Sequence, residues 1–221
     1  VNNRIWLIVG KSGCGKSWFG RYILTQYLQN RAIKYIMVID NSPDHFYEGL
    51  QTQGFYLQEY GEVEAQGNYN WENFIKANKR ILLEITNLKQ EEITCLMDNV
   101  SKALYNLGDS LILVDEAHIF FPCHHHSIEF ERLLRGGRKK GIDVIMITQT
   151  LTDLNLIALR LTNVLILFQT TEANEVERAL QYFHVDREEI VNLKDREYLF
   201  KDMKTSHQVK DTTQGLDTIW N

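Results

Sequence analysis

The segment Ile5-Trp6-Leu7-Ile8-Val9-Gly10-Lys11-Ser12-Gly13-Cys14-Gly15-Lys16-Ser17 decides the fold. Its first five residues form an unbroken apolar run, the pattern of a strand buried on both faces. Gly10–Ser17 then fits G-x-x-x-x-G-K-[ST], and a helical stretch, Lys16–Asn30, leaves it. In such a loop the glycines let the backbone N–H groups of Gly10, Lys11, Ser12, Gly13, Cys14 and Gly15 converge on phosphate oxygens. The helix N-terminus adds the positive end of its dipole. Lys16 is expected to reach the β- and γ-phosphates of ATP, and the Ser17 hydroxyl to ligate Mg2+. A glycine-rich turn that binds nothing lacks a reason to sit between this strand and this helix.

Leu111–Val114 is a second buried run, and it ends in Asp115 and Glu116. Charges at the C-terminal end of a parallel strand face the ligand crevice. Asp115 therefore suits the Mg2+ shell, and Glu116 suits a general base that polarises an attacking water. Paired carboxylates here favour hydrolysis over simple nucleotide binding. A third run, Asp143–Thr148, ends at Gln149, a polar group placed to sense the γ-phosphate or the water, or else to cap a loop. Before it lies Arg135-Gly136-Gly137-Arg138-Lys139-Lys140. Three readings of this basic cluster stay open: a solvated face, a nucleic-acid contact, or an arginine donated to a neighbouring subunit, with Arg138 the first candidate and Arg135 the second.

The other apolar runs, Tyr35–Ile39, Ile81–Ile85, Val164–Phe168 and Tyr198–Phe200, alternate with helical patterns. The alternation predicts an α/β fold with a mainly parallel sheet and helices on both faces. The strongest helical pattern is Lys89–Leu107, with Asn87 and Gln90 as candidate caps at its start and Gly108 at its end. Trp71–Ala77, Ser127–Arg135, Leu154–Leu161, Ala173–Phe183 and Arg187–Leu193 read as further helices. The segment 51–69 is ambiguous, a short strand at Gly54–Leu57 followed by a loop. At 221 residues the chain fits one domain over 1–221, with a core of about 4–203 and a polar tail, 204–221, without periodicity.

Composition sets the limits. Hydrophobic residues make up 44% and charged residues 24%, an ordinary globular balance. Lys and Arg total 24 against 29 Asp and Glu, a net charge of −5, so any nucleic acid must be met by a local basic patch. Three widely spaced cysteines argue against a disulfide scaffold and for a reducing compartment. No apolar run reaches the length of a membrane span. Cys123-His124-His125-His126 lacks the second ligand pair that structural zinc needs, and reads as an exposed loop. Cys14 reads as a small residue of the phosphate loop. Asp40, before Asn41-Ser42-Pro43, either joins the water network of the site or starts a turn. His118 either senses the γ-phosphate or packs at the strand end.

On Leu111–Pro122 (LILVDEAHIFFP), Arg132–Thr150 (RLLRGGRKKGIDVIMITQT) and Leu161–Leu180 (LTNVLILFQTTEANEVERAL), the chain resembles the HerA/FtsK superfamily of DNA-pumping ATPases. The resemblance covers roughly Arg4 to Phe200. Its nearest match in size is the single-domain genome-packaging ATPase of icosahedral viruses with an internal membrane. It implies a RecA-like P-loop fold and a homo-oligomeric ring, usually a hexamer, that drives double-stranded DNA without sequence preference. It also implies Asp115 and Glu116 as the acidic pair, Gln149 as the γ-phosphate sensor and Arg138 as the finger acting in trans. Capsid-vertex or membrane proteins of a virion are the implied partners. The implied locations are the host cytoplasm during assembly and then the packaging vertex. Cellular members carry additional domains for which no sequence signal occurs here, which favours the viral type. A morphogenesis ATPase of the zonula-occludens-toxin type and a cellular HerA-like DNA-processing ATPase remain the alternatives.

Overall fold

The apolar runs become strands of a nine-stranded sheet in the structure, a computed structural model that describes residues 4–30, 33–41, 46–65 and 69–213. In chain order the first elements are β1 (Ile5–Val9), α1 (Lys16–Asn30), β2 (Tyr35–Asp40), a 3-10 turn (Glu48–Gln53), β3 (Tyr56–Tyr60), α2 (Glu62–Ala65), α3 (Trp71–Asn78) and β4 (Arg80–Ile85). Next come α4 (Gln90–Leu107), β5 (Ser110–Val114), α5 (Ala117–Phe120), α6 (Ile128–Gly136), a 3-10 turn (Gly137–Lys140) and β6 (Asp143–Thr148). The chain continues through α7 (Leu156–Leu161), β7 (Val164–Phe168), α8 (Ala173–Phe183), α9 (Arg187–Val191), β8 (Glu197–Asp202) and β9 (Gln208–Thr212).

The strand order is β3-β4-β2-β5-β6-β1-β7-β8-β9. The first seven run parallel, and β8 and β9 return antiparallel. All parallel strands therefore end at one edge of the sheet, where the phosphate loop and the acidic pair lie. One strand, β6, separates the strand that feeds the phosphate loop from the strand that carries Asp115, and its own end delivers Gln149 between them.

Alternate residues of each strand enter two separate apolar layers, which is why the runs are continuous rather than alternating. Leu7, Val9, Ile112 and Val114 join the layer filled by Leu96, Val100 and Leu104 of α4 and Phe130 and Leu133 of α6. Ile8, Leu111, Leu113 and Ile147 join the layer filled by Phe19, Ile23, Leu24 and Tyr27 of α1. The approach of α1 to the sheet requires a glycine: a Cβ on Gly20 would lie 2.4 Å from Ile147 Cδ1. Trp71 is buried and packs with Tyr60, Tyr69 and Phe74.

Most predicted elements stand within a residue or two. Two do not. The short strand read at Gly54–Leu57 lies further on, at β3, and the polar tail contains β9. Both are sheet edges with exposed faces, so neither carries an apolar run. The start of α4 is also capped differently. The Lys89 N–H donates to Glu92 Oε2 at 2.8 Å, while the Gln90 amide donates to the Ile119 carbonyl. Gly108 ends α4 as expected, with φ of 67°. Ser42, Pro43 and the tail beyond Thr213 lie outside the described residues.

Candidate functional site

The phosphate loop opens into a cleft of ≈ 860 Å³ at the C-terminal edge of the parallel strands. Its lining includes Ser12, Gly13, Gly15, Lys16 and Ser17 from the loop and Asp115, Glu116 and Gln149 from the neighbouring strand ends. The loop turns on a glycine at φ +102°, Gly15, where an L side chain would be strained. Lys16 is nearly buried, and its ammonium donates to the Lys11 carbonyl at 2.7 Å, which holds the charge over the loop's own concavity. The loop is tied to the end of β7: the Lys11 ammonium donates to Gln169 Oε1 at 2.6 Å. Cys14 packs into the α1 layer, and burial pushes its thiol up.

Asp115 is 4% exposed and accepts from three directions. Tyr47 donates its hydroxyl to Asp115 Oδ2 at 2.9 Å, the Glu116 N–H donates to Oδ1 at 2.9 Å, and the Ser17 hydroxyl is a third partner. Burial holds the Asp115 carboxyl above the usual range, and the bonds from Tyr47 and Ser17 oppose that rise. The Tyr47 hydroxyl is itself pushed well up by burial and by the adjacent Asp115 charge. Nearby at the end of β2, Asp40 is buried.

Glu116 stands at φ 52°, in the left-handed region that a non-glycine residue adopts only when its surroundings compel it. Its side chain points across the end of β6, where the Gln149 amide donates to Glu116 Oε1. The other oxygen, Oε2, is sealed from solvent without a hydrogen-bond partner, 3.4 Å from His118 Nδ1. His118 Nδ1 sits 3.0 Å from Thr148 Oγ1. His118 thus lines the cleft and packs at a strand end at once.

The structure brings Lys16, Ser17, Asp115, Glu116 and Gln149 together and sets Arg138 apart. Arg138 is exposed on the 3-10 turn that precedes β6, at the opposite edge of the sheet, where it borders a small pocket of ≈ 150 Å³. Six residues of β6 lie between it and Gln149, about 20 Å at strand rise. That exceeds the reach of an arginine, so Arg138 does not serve its own cleft. Arg135 is engaged by Glu131 at 2.8 Å. The Cys123–His126 loop is spoken for locally: Cys123 Sγ contacts the Thr152 and Leu154 carbonyls, and His126 Nε2 pairs with Glu131.

Four residues of this region carried no sequence signal. Tyr47 lies far from the motifs and looks like an ordinary aromatic. Arg196, at φ 62°, enters the cleft from the loop before β8, and its carbonyl accepts from the Thr213 N–H at 2.8 Å. Thr213 lines the cleft as well and borders Gly15. Glu175, in the first turn of α8, is buried and holds the segment after Gln149. It accepts from the hydroxyls of Thr150 (3.0 Å) and Thr152 (2.6 Å) and from the N–H groups of Leu151 and Thr152.

A strand, a glycine-rich loop and a helix, faced by an acidic pair and a glutamine one strand away, define a P-loop ATPase. The chain belongs to the AAA domain family, which matches residues 1–154, and an AAA-like domain family matches residues 107–211. The genome-packaging NTPase B204 of Sulfolobus turreted icosahedral virus 2, solved in complex with AMPPCP, superposes with a TM-score of 0.74 at 18% identity. That match covers 95% of this chain and 97% of that one. VirB4 of Thermoanaerobacter pseudethanolicus gives a TM-score of 0.69 at 12% identity, covering 94% and 88%. The bacterial conjugative coupling protein TrwB gives 0.63 at 11%, covering 95% and 84%. At these identities the likeness is one of fold, and it agrees with the HerA/FtsK resemblance of the sequence. No curated protein sequence matches the chain. Among the described residues no helix is long and apolar enough to cross a membrane.

Proposed function

We propose that this ATPase is a motor that translocates double-stranded DNA, and that it drives a viral genome into a preformed capsid. The observation that carries the reading is the Gln149–Glu116 contact at the mouth of the phosphate loop, because it joins a base to a γ-phosphate sensor. Likeness of fold to a genome-packaging NTPase over nearly the full length of both chains supports the cargo.

In this reading the loop N–H groups and Lys16 hold the β- and γ-phosphates. Ser17 and Asp115 offer adjacent oxygen donors, the set that a hard cation prefers, and would hold Mg2+. The ion, when bound, supplies charge neutralisation on the phosphates. Glu116 accepts the proton of the attacking water as its oxygen bonds to the γ-phosphorus. The bond from that phosphorus to the β–γ bridging oxygen breaks, leaving ADP and phosphate. Gln149 leaves Glu116 to meet the γ-phosphate, and its movement reports the nucleotide state. Arg138 acts on the neighbouring subunit's nucleotide within a ring, which we take to be a hexamer, and its exposure at the far edge of the sheet supports action in trans. The ring works in the host cytoplasm and then at the packaging vertex, against capsid or membrane proteins of the virion.

The test is ATP turnover with and without non-specific duplex DNA. The wild-type chain should be stimulated. Lys16→Ala should fail to bind ATP, and Glu116→Gln should bind it and barely turn over. Turnover indifferent to DNA would sink the motor reading, and a fully active Glu116→Gln would sink the assignment of the base.

A further inference from the structure

The parallel sheet has a second edge, and cations outnumber carboxylates along it. Every parallel strand starts there, opposite the cleft, and the residues just before those starts come from segments far apart in sequence. Lys79 and Arg80 open β4, Lys34 precedes β2, Lys139 and Lys140 precede β6, and Arg4 precedes β1. In the sheet these strands stand in the order β4-β2-β5-β6-β1.

Backbone bonds stitch the starts into one line. The Ile36 N–H donates to the Lys79 carbonyl, the Lys34 N–H to the Asp109 carbonyl, the Asp109 N–H to the Lys140 carbonyl, and the Val144 N–H to the Arg4 carbonyl. Four inter-strand steps make the line about 19 Å long. Lys34, Lys79, Arg80, Lys139 and Lys140 are exposed, and none of them has a carboxylate partner among the described residues. Their contacts are with neutral groups: Lys34 over the Tyr35 ring, Lys140 over the Tyr105 ring, and Arg80 on the Gln53 carbonyl. The acidic residues of this edge are Asp109, within the line, Asp143, which is buried and accepts from the Arg4 N–H, and Asp202 beyond it. In a chain of net charge −5, a row of exposed cations without ion-pair partners is the local basic patch that a polyanion would need.

We infer that this edge is where the phosphodiester backbone of the DNA lies, at the end of the sheet remote from ATP. The inference rests on the motor reading and says which surface meets the cargo. The length of the row selects the ligand. A nucleoside triphosphate concentrates its charge within a few ångströms and engages one or two cations. The exposed cations span three inter-strand steps, about 14 Å, which matches a linear polyanion with one charge per strand about every 3.4 Å along its axis. Ammonium groups that meet phosphates position a duplex without reading its bases, so binding should be indifferent to sequence and set by ionic strength.

The experiment measures binding of the full chain to a 30-base-pair duplex of arbitrary sequence by fluorescence anisotropy across a salt series. The variant is Lys34→Glu/Lys79→Glu/Lys140→Glu, and the control is Lys89→Glu/Lys194→Glu, outside the row. All three positions of the variant are exposed, so its circular dichroism and its DNA-free ATP turnover should match the wild type. Affinity at low salt should fall at least tenfold, and the slope of log K against log salt should drop by about 3, near one for each lost phosphate contact. The control should bind as the wild type does. An unchanged slope and affinity in the triple variant overturns the inference. So does a variant that binds DNA normally but no longer self-associates in sedimentation, which would assign the lysine row, and not only its neighbour Arg138, to the contact between copies. A wild-type chain that neither binds duplex nor responds to it sinks the motor reading instead, a result distinct from either.

Discussion

Asp115 is held by a residue that the motifs do not name. The buried Tyr47 hydroxyl donates to its carboxylate and so favours the ionised form, against the rise that burial imposes. Removing that donor in Tyr47→Phe raises the Asp115 pKa further. Ionised Asp115 is the form that would hold the cation, so the acid limb of the pH profile of kcat/KM should move to higher pH. The alkaline limb should stay in place. An acid limb that does not move would show that Tyr47 only fills space. The phosphate loop, Asp115, Glu116 and Gln149 are legible in sequence because their chemistry demands fixed spacing beside a buried strand. Tyr47, Arg196 and Glu175 are not, because each reaches the site through a fold that only the tertiary structure defines.

At the scale of elements, the strands buried on both faces and the helices that cover them are read directly from apolar periodicity. β3 and β9 are not, since an edge strand needs only one partner and carries little apolar signal. The segment after Gln149 is another element whose state is set from afar. Without Glu175 it would be a loose loop; with it, Thr150, Leu151 and Thr152 are gathered on one buried carboxylate from α8. Glu175→Ala leaves the Leu151 and Thr152 N–H groups unmet and the Thr150 and Thr152 hydroxyls with only each other, and a loss on the order of 3 kcal/mol is expected in urea unfolding. A loss below about 0.5 kcal/mol would mean that water replaces the carboxylate.

For the whole molecule, the phosphate-loop cleft and Arg138 lie at opposite edges of one sheet, and on the proposed function the arginine completes the site of a neighbouring copy. Arg138→Ala subunits keep their own cleft, and Lys16→Ala subunits keep their arginine. Each alone should be inactive, and mixing the two should restore part of the turnover, because some mixed interfaces contain one intact site. Arginines acting in trans are worth about 10³–10⁵ in turnover, so the rescue should stand clear of background. The absence of rescue, with activity per subunit flat on dilution, would place the whole reaction within one subunit.

The Gln149 amide resting on Glu116 has a consequence for what the proposed motor does when it has no work. In the proposed reaction Glu116 is the base; its Oε1 is already occupied by a donor from the same chain, and its Oε2 is sealed from solvent. ATP that arrives without drawing the glutamine away meets a disarmed base and waits. On the proposed function the contact would act as a safety catch that keeps a stalled machine from burning fuel. Gln149→Ala should idle faster than the wild type in the absence of DNA while losing its response to DNA, both readable in one turnover assay. Slower idling in that variant would mean that the glutamine serves the chemistry alone and restrains nothing.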